Sequence, residues 1–100
     1  MVRMNTSKTT TASWTFLTNH AHVLIYLAQN PSERVRDIAL EVGITERAVQ
    51  RIIVELETEG YLERIRNGRR NLYKVFSRKS LWHFNESHRQ VYDLIMLFKE

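Results

Sequence analysis

The sequence predicts a mainly α domain carrying one small β-hairpin, its elements ordered α-α-α-β-β-α. Three observations predict it. Apolar residues recur at helical spacing in separate stretches along the chain. Gly43 and Gly60 stand just past the ends of two such stretches, where a helix needs a left-handed cap. Two extended runs, Tyr61 to Arg66 and Asn71 to Phe76, flank Asn67-Gly68-Arg69-Arg70. Asn-Gly is a strong hairpin signal because both residues tolerate positive φ.

Composition bounds what such a chain can be. One hundred residues make one domain, or one domain with an arm. With 43% apolar and 26% charged residues the chain is too hydrophobic for disorder and too charged for a membrane protein. No stretch approaches the ~18 consecutive apolar residues of a bilayer span, and Met1 to Ala12 has no apolar core of a secretory signal. No membrane partner and a cytoplasmic location are expected. The absence of cysteine excludes disulfides, thiolate metal sites and cysteine nucleophiles together. A net charge of +4 points to a polyanion, and its distribution says more. From Arg64 to Lys79 there are seven basic residues and no acidic one, whereas Glu55, Glu57, Glu59 and Glu63 crowd the segment just before. A basic patch set against an acidic one is an oriented field that duplex DNA would read.

In chain order, residues 1–12 form an expected flexible arm, 13–78 the main domain and 79–100 a terminal helix for dimerisation. Thr11 or Ser13 caps a first helix that runs to Gln29 and stops at Asn30-Pro31. Its apolar residues fall in two stripes. One is Trp14, Leu17, Ala21, Leu24, Ile25 and Ala28; the other is Phe16, His20, Val23 and Leu27. A monomer's surface helix needs only one stripe, so two imply burial on two sides. A second helix spans Arg36 to Val42, with Val35 in a brief extended segment. Thr45 caps a third, Glu46 to Glu59.

The decisive stretch is Val35 to Leu56. Two helices that cross steeply over a short turn need a small residue where they approach, and Ala39 supplies it. They need a residue that accepts positive φ in the turn, and Gly43 does. Ile38, Val42, Ile44, Val49 and Ile52 are the branched residues that set the angle. The segment VRDIALEVGITERAVQRIIVELETEGYLERIR resembles the winged helix-turn-helix family of bacterial and archaeal transcription regulators, its MarR-like and ArsR-like groups especially. The resemblance covers about residues 14–76. The usual cap position before the second helix, around Arg34, holds neither Ser nor Thr.

The resemblance implies a recognition helix and a wing. In the third helix Val49, Ile52, Ile53 and Leu56 make a buried face at i, i+3, i+4 and i+7. Arg47, Gln50, Arg51, Val54 and Thr58 lie opposite, with Glu46 at the edge. Such a helix fits the major groove, where Arg donates two hydrogen bonds to guanine and Gln two to adenine. Arg47, Gln50 and Arg51 are the expected base readers, and Thr45 or the helix N-terminus the phosphate contact. The hairpin is the expected wing, with Arg69 and Arg70 at its tip and Arg64, Arg66 and Lys74 on its strands. Wings of this family lie along the backbone or enter the minor groove. The bland alternative is a solvated hairpin beside a solvated Arg47–Arg51 pair.

A last helix from Ser80 to the end puts Leu81, His88 and Ile95 seven apart, and Phe84, Val91 and Phe98 likewise. Interleaved, they give a short coiled-coil seam. So small a chain cannot cover that helix on every side, and a two-fold dimer with a palindromic DNA site is expected. His20 and His22 are two apart and His83 and His88 five apart, poor spacings for a shared metal. Core histidines are expected, and His20 and His88 can meet at the dimer interface. No metal, cofactor or catalytic constellation is expected: no Gly-rich phosphate loop, ligand cluster or nucleophile-base pair has recognisable spacing. The function expected is therefore a homodimeric, sequence-specific regulator binding double-stranded DNA, a repressor in view of its size. A metal- or ligand-responsive sensor of the same fold, an architectural DNA binder and a winged-helix protein-interaction module remain as alternatives, with any effector unidentified.

Overall fold

The structure, a computed structural model, describes residues 14–99. Among these are four helices and one antiparallel hairpin, in the predicted order. The elements are α1 (Asn19–Gln29), α2 (Val35–Val42), α3 (Glu46–Thr58), β1 (Leu62–Asn67), β2 (Arg70–Val75) and α4 (Val91–Leu97).

Helix α1 starts later than its apolar spacing suggests. Thr18 is the cap, its hydroxyl accepting from the Ala21 backbone N–H at 3.2 Å. Trp14 to Leu17 are therefore not helical, and Thr11 and Ser13, the expected caps, lie outside the described residues. The two-stripe division fails with them. Val23, Leu24 and Leu27 are the buried residues, one face drawn from both stripes. At the far end the Asn30 backbone N–H donates to the Tyr26 carbonyl at 2.9 Å, and its side-chain amide donates to the same oxygen at 3.1 Å. Pro31 then forbids continuation.

The α2–α3 turn follows from Gly43. Its φ of 88° lies in the left-handed region, which lets the N–H groups of Gly43 and Ile44 both donate to the Ala39 carbonyl, at 2.8 and 3.1 Å. Ala39, the small residue at the crossing, is buried. Thr45 caps α3 as expected, accepting from Ala48 N–H at 3.0 Å. Arg34 makes no side-chain cap for α2, which starts one residue earlier than expected. Val35 is thus helical and not extended.

The hairpin pairs Leu62 with Val75 through Asn67 with Arg70, which leaves Gly68 and Arg69 as a two-residue turn. Gly68 has φ 66° and no other hairpin residue has positive φ, so Gly occupies the first central position as in a II′ turn. The expectation that Asn67 also takes positive φ is corrected. The outer edge of β2 is not bare: Tyr73 N–H donates to the Pro31 carbonyl at 2.9 Å. The α1–α2 connection thus runs beside the wing and fastens it to the body.

One core lies between α1, α2, α3 and the hairpin. Leu27, Ile38, Ile52, Ile53, Val23 and Val49 are its largest fully buried side chains together with Val91, which α4 contributes.

The terminal segment departs most from expectation. No helix starts at Ser80. Residues 76–90 are irregular and double back on themselves, closed by an antiparallel bridge between Ser80 and Gln90 and by Leu81 N–H donating to the Arg89 carbonyl at 2.9 Å. Trp82, His83, Phe84, Asn85, Ser87 and His88 are all mediocre helix formers, and a capping contact from Gln90 N–H to the Asp93 carboxylate at 2.9 Å starts the helix only at Val91. The coiled-coil seam is therefore not built. Val91 is 0% exposed within its own domain, Leu81 and Ile95 pack against the same core, and Phe84 is 81% exposed on the loop. His88 is exposed on that loop and Phe98 caps the end of α4.

Candidate nucleic-acid interface

The exposed side of α3 assembles as the spacing predicts. Val49, Ile52, Ile53 and Leu56 are buried, while Glu46, Arg47, Gln50, Arg51, Val54 and Thr58 are exposed. Five of the expected contact residues, Thr45, Glu46, Arg47, Gln50 and Arg51, occupy the first half of this helix or its cap. The Thr45 hydroxyl is engaged in capping, and the amide groups of the first turn point out beside it. Arg47 has no hydrogen bond or ion pair among the described residues. Arg51 lies 3.4 Å from Glu55, a slack i,i+4 pair.

The wing is ordered differently from a row of free cations. Directly opposed residues in an antiparallel pair share a face. Leu62, Arg64 and Arg66 therefore lie with Val75, Tyr73 and Asn71, the side that carries buried Leu62 and Tyr73. Glu63, Ile65 and Asn67 lie with Lys74, Leu72 and Arg70 on the other. Arg64 donates to Glu57 of α3 at 2.8 Å, and that hydrogen bond raises the guanidinium pKa further. Arg66 folds onto the Gly68 carbonyl at 2.8 Å, and Arg70 reaches the Ser32 carbonyl at 2.6 Å. Lys74 lies over the Phe76 ring, Arg78 over Tyr92 and Lys79 over Tyr61. Of the seven basic residues read as unopposed, only Arg69, at the tip, has no such partner among the described residues. The structure keeps Arg47, Gln50 and Arg51 together and turns Arg64, Arg66 and Arg70 to intramolecular bonds.

Two exposed cations were not singled out by the sequence. Arg34 and Arg36 stand at the start of α2, and neither side chain has a hydrogen bond or ion pair among the described residues. The signal was available: Arg34 stands at the cap position of α2 and Arg36 in its first turn, and α2 directly precedes α3.

Histidine placement is mixed. His20 Nε2 lies 2.6 Å from Glu55 Oε1, joining α1 to α3, whereas His88 is far along the exposed loop in the same chain. The Glu55 carboxyl is held below its ordinary range, first by this hydrogen bond and then by Arg51. Among the described residues no group of three or more His, Cys, Asp or Glu could hold a metal, and no helix is long and apolar enough to cross a membrane.

Comparison with known proteins places this geometry. A search of curated proteins finds no match. Among solved structures, the PcaV transcriptional regulator from Streptomyces coelicolor, crystallised with its natural ligand, superposes with a TM-score of 0.52 at 24% identity. The match covers 59% of this chain and 44% of that one, so the common fold spans less than half of that regulator. At this identity the likeness concerns the fold alone. The sequence profile of the MarR family matches residues 15–70, more than half of the chain, from the approach to α1 to the start of β2. The chain belongs to the MarR family of transcription regulators.

Proposed function

We propose that the protein is a sequence-specific regulator that binds double-stranded DNA, with α3 in the major groove and the wing tip on the backbone or in the minor groove. The observation that carries this reading is the single exposed face of Arg47, Gln50 and Arg51 behind a Thr45-capped N-terminus. Arg47 and Arg51 suit guanine edges and Gln50 adenine. Thr45 and the free amides of the first turn lie where a phosphate approaches, with Glu46 at the edge of the contact face. Arg69 and Lys74 of the wing, with Arg34 and Arg36 of α2, supply backbone contacts. Arg64, Arg66 and Arg70 shape the wing before they touch DNA. Selection from random duplexes tests the reading. The wild type enriches a defined site containing guanine and adenine, and Arg47→Ala with Arg51→Ala loses that enrichment. A wild type that enriches nothing refutes sequence-specific readout.

The active form in this reading is a cytoplasmic homodimer on a palindromic site, acting as a repressor. Support for self-association comes from the apolar surface the fold leaves uncovered: Trp14, Phe16, Trp82, Phe84, Leu97 and Phe98 are all exposed. A second copy would cover them by the outward residues of the loop and of α4, not by a coiled-coil seam through Val91.

One observation favours a ligand-responsive variant of the same function. A cavity of about 740 Å³ opens between α1, the end of α3 and the 80–94 segment, walled by Leu24, Leu56, Leu81 and Val91 with His20 and Glu55 at its edge. Its size and apolar lining suit a small molecule. Calorimetric titration with apolar organic ligands, read with and without DNA, separates a sensor from a constitutive binder.

A further inference from the structure

Glu55 stands one helical turn beyond Arg51 and is approached from two elements. From α1, His20 Nε2 lies 2.6 Å from Oε1. From its own helix, Arg51 Nη1 reaches Oε1 and Oε2 only at 3.5 and 3.4 Å. The contacts differ in quality. A charge-assisted N–H···O bond closes to about 2.7–2.9 Å, so the histidine contact is tight and the arginine contact loose. Nothing in the helix spacing forces this, because an acidic residue four positions from an arginine is within reach of a close pair. The imidazole decides which way the carboxylate leans. Both partners lower the Glu55 carboxyl pKa, with His20 the larger influence, so the group stays ionised and attractive to each.

The outcome matters at Arg51. A guanidinium closed onto a carboxylate has part of its fork occupied and its charge offset. One held loosely can turn both donors to a base edge. We propose that His20 is a positioning residue for the recognition helix: by holding the Glu55 carboxylate against α1 it keeps that group from closing on Arg51 and leaves the guanidinium free to engage DNA. The inference rests on the DNA-binding reading above and adds to it a residue outside the contact face.

A double-mutant cycle tests it on the full chain, with duplex binding by anisotropy at one fixed salt concentration and thermal unfolding as the folding control. His20→Ala weakens binding about two- to fivefold, the range expected for an exposed charge pair that must be broken. Glu55→Gln binds at least as tightly as the wild type. In the Glu55→Gln background His20→Ala has no further effect, since no carboxylate remains to be held back. His20→Gln, whose amide can still donate to Glu55, restores wild-type binding. A readout without DNA accompanies these. The Glu55 carboxyl, followed by NMR, titrates at higher pH in His20→Ala than in the wild type. Equal losses from His20→Ala in both backgrounds, no loss in either, or an unmoved Glu55 titration overturns the proposal. A wild type that binds no duplex overturns the DNA reading and this inference with it, whereas wild-type binding with additive variants overturns this inference alone.

Discussion

Arg64 of the wing donates from Nη2 to Glu57 Oε1 at 2.8 Å, tying the first strand of the hairpin to the last turn of α3. The relationship makes Arg64 a brace between two surfaces proposed to meet the same duplex. Arg64→Ala is expected to cost about 0.5–1 kcal/mol of stability, the upper range for a pair that water still reaches. It is also expected to reduce DNA affinity less steeply with salt than Arg69→Ala. Chemical denaturation and salt-dependent binding of the two variants check both halves.

Acid should weaken the α1–α3 link. The Glu55 carboxyl is lowered in the folded chain, first by His20, so the native state binds fewer protons there than the unfolded state. The corresponding stability is fully present above the ordinary glutamate pKa of 4.5 and is lost as pH falls through the lower folded value. Glu55→Gln should flatten that part of the stability–pH curve: it is less stable than the wild type at neutral pH and converges with it in acid, measured by denaturation midpoints across the range.

Gly43 offers a test of the turn. Its φ of 88° is one that an L side chain adopts at a cost, so Gly43→Ala should destabilise by about 1–2 kcal/mol. Circular dichroism melts read the loss. An unchanged melting temperature would mean that the α2–α3 crossing does not need the left-handed cap.

Val91 and Phe84, seven apart in sequence, should behave oppositely. Val91 is fully buried in its own domain, and Val91→Ala should cost about 1.5–3 kcal/mol from lost burial and the cavity left behind. Phe84→Ala should barely alter the stability of the isolated chain and should weaken self-association, followed by sedimentation.

The contrast shows what was legible. Helices α2 and α3 and the hairpin could be read because their signals are local: Gly43 and Thr45 at the ends, one strong period in Val49, Ile52, Ile53 and Leu56, and Gly68 in the turn. The terminal seam was misread because heptad spacing records only which residues would align if the segment were helical. It ignores the Ser80–Gln90 bridge that holds Trp82 to His88 in a loop. The exposed face of α3 was legible for the same local reasons as the helix itself. The fate of the wing arginines depended on long-range partners, Ser32 for Arg70 and Glu57 for Arg64. Strand parity alone placed Arg64 on the side of buried Leu62 and could have warned of it.

Binding of α3 and the wing to duplex DNA can be measured by salt-dependent anisotropy of the full chain against a mixed-sequence duplex. Binding should weaken steeply with salt, with a log–log slope implying roughly four or more phosphate contacts. Absence of binding at low salt, from protein shown to be folded, would contradict it.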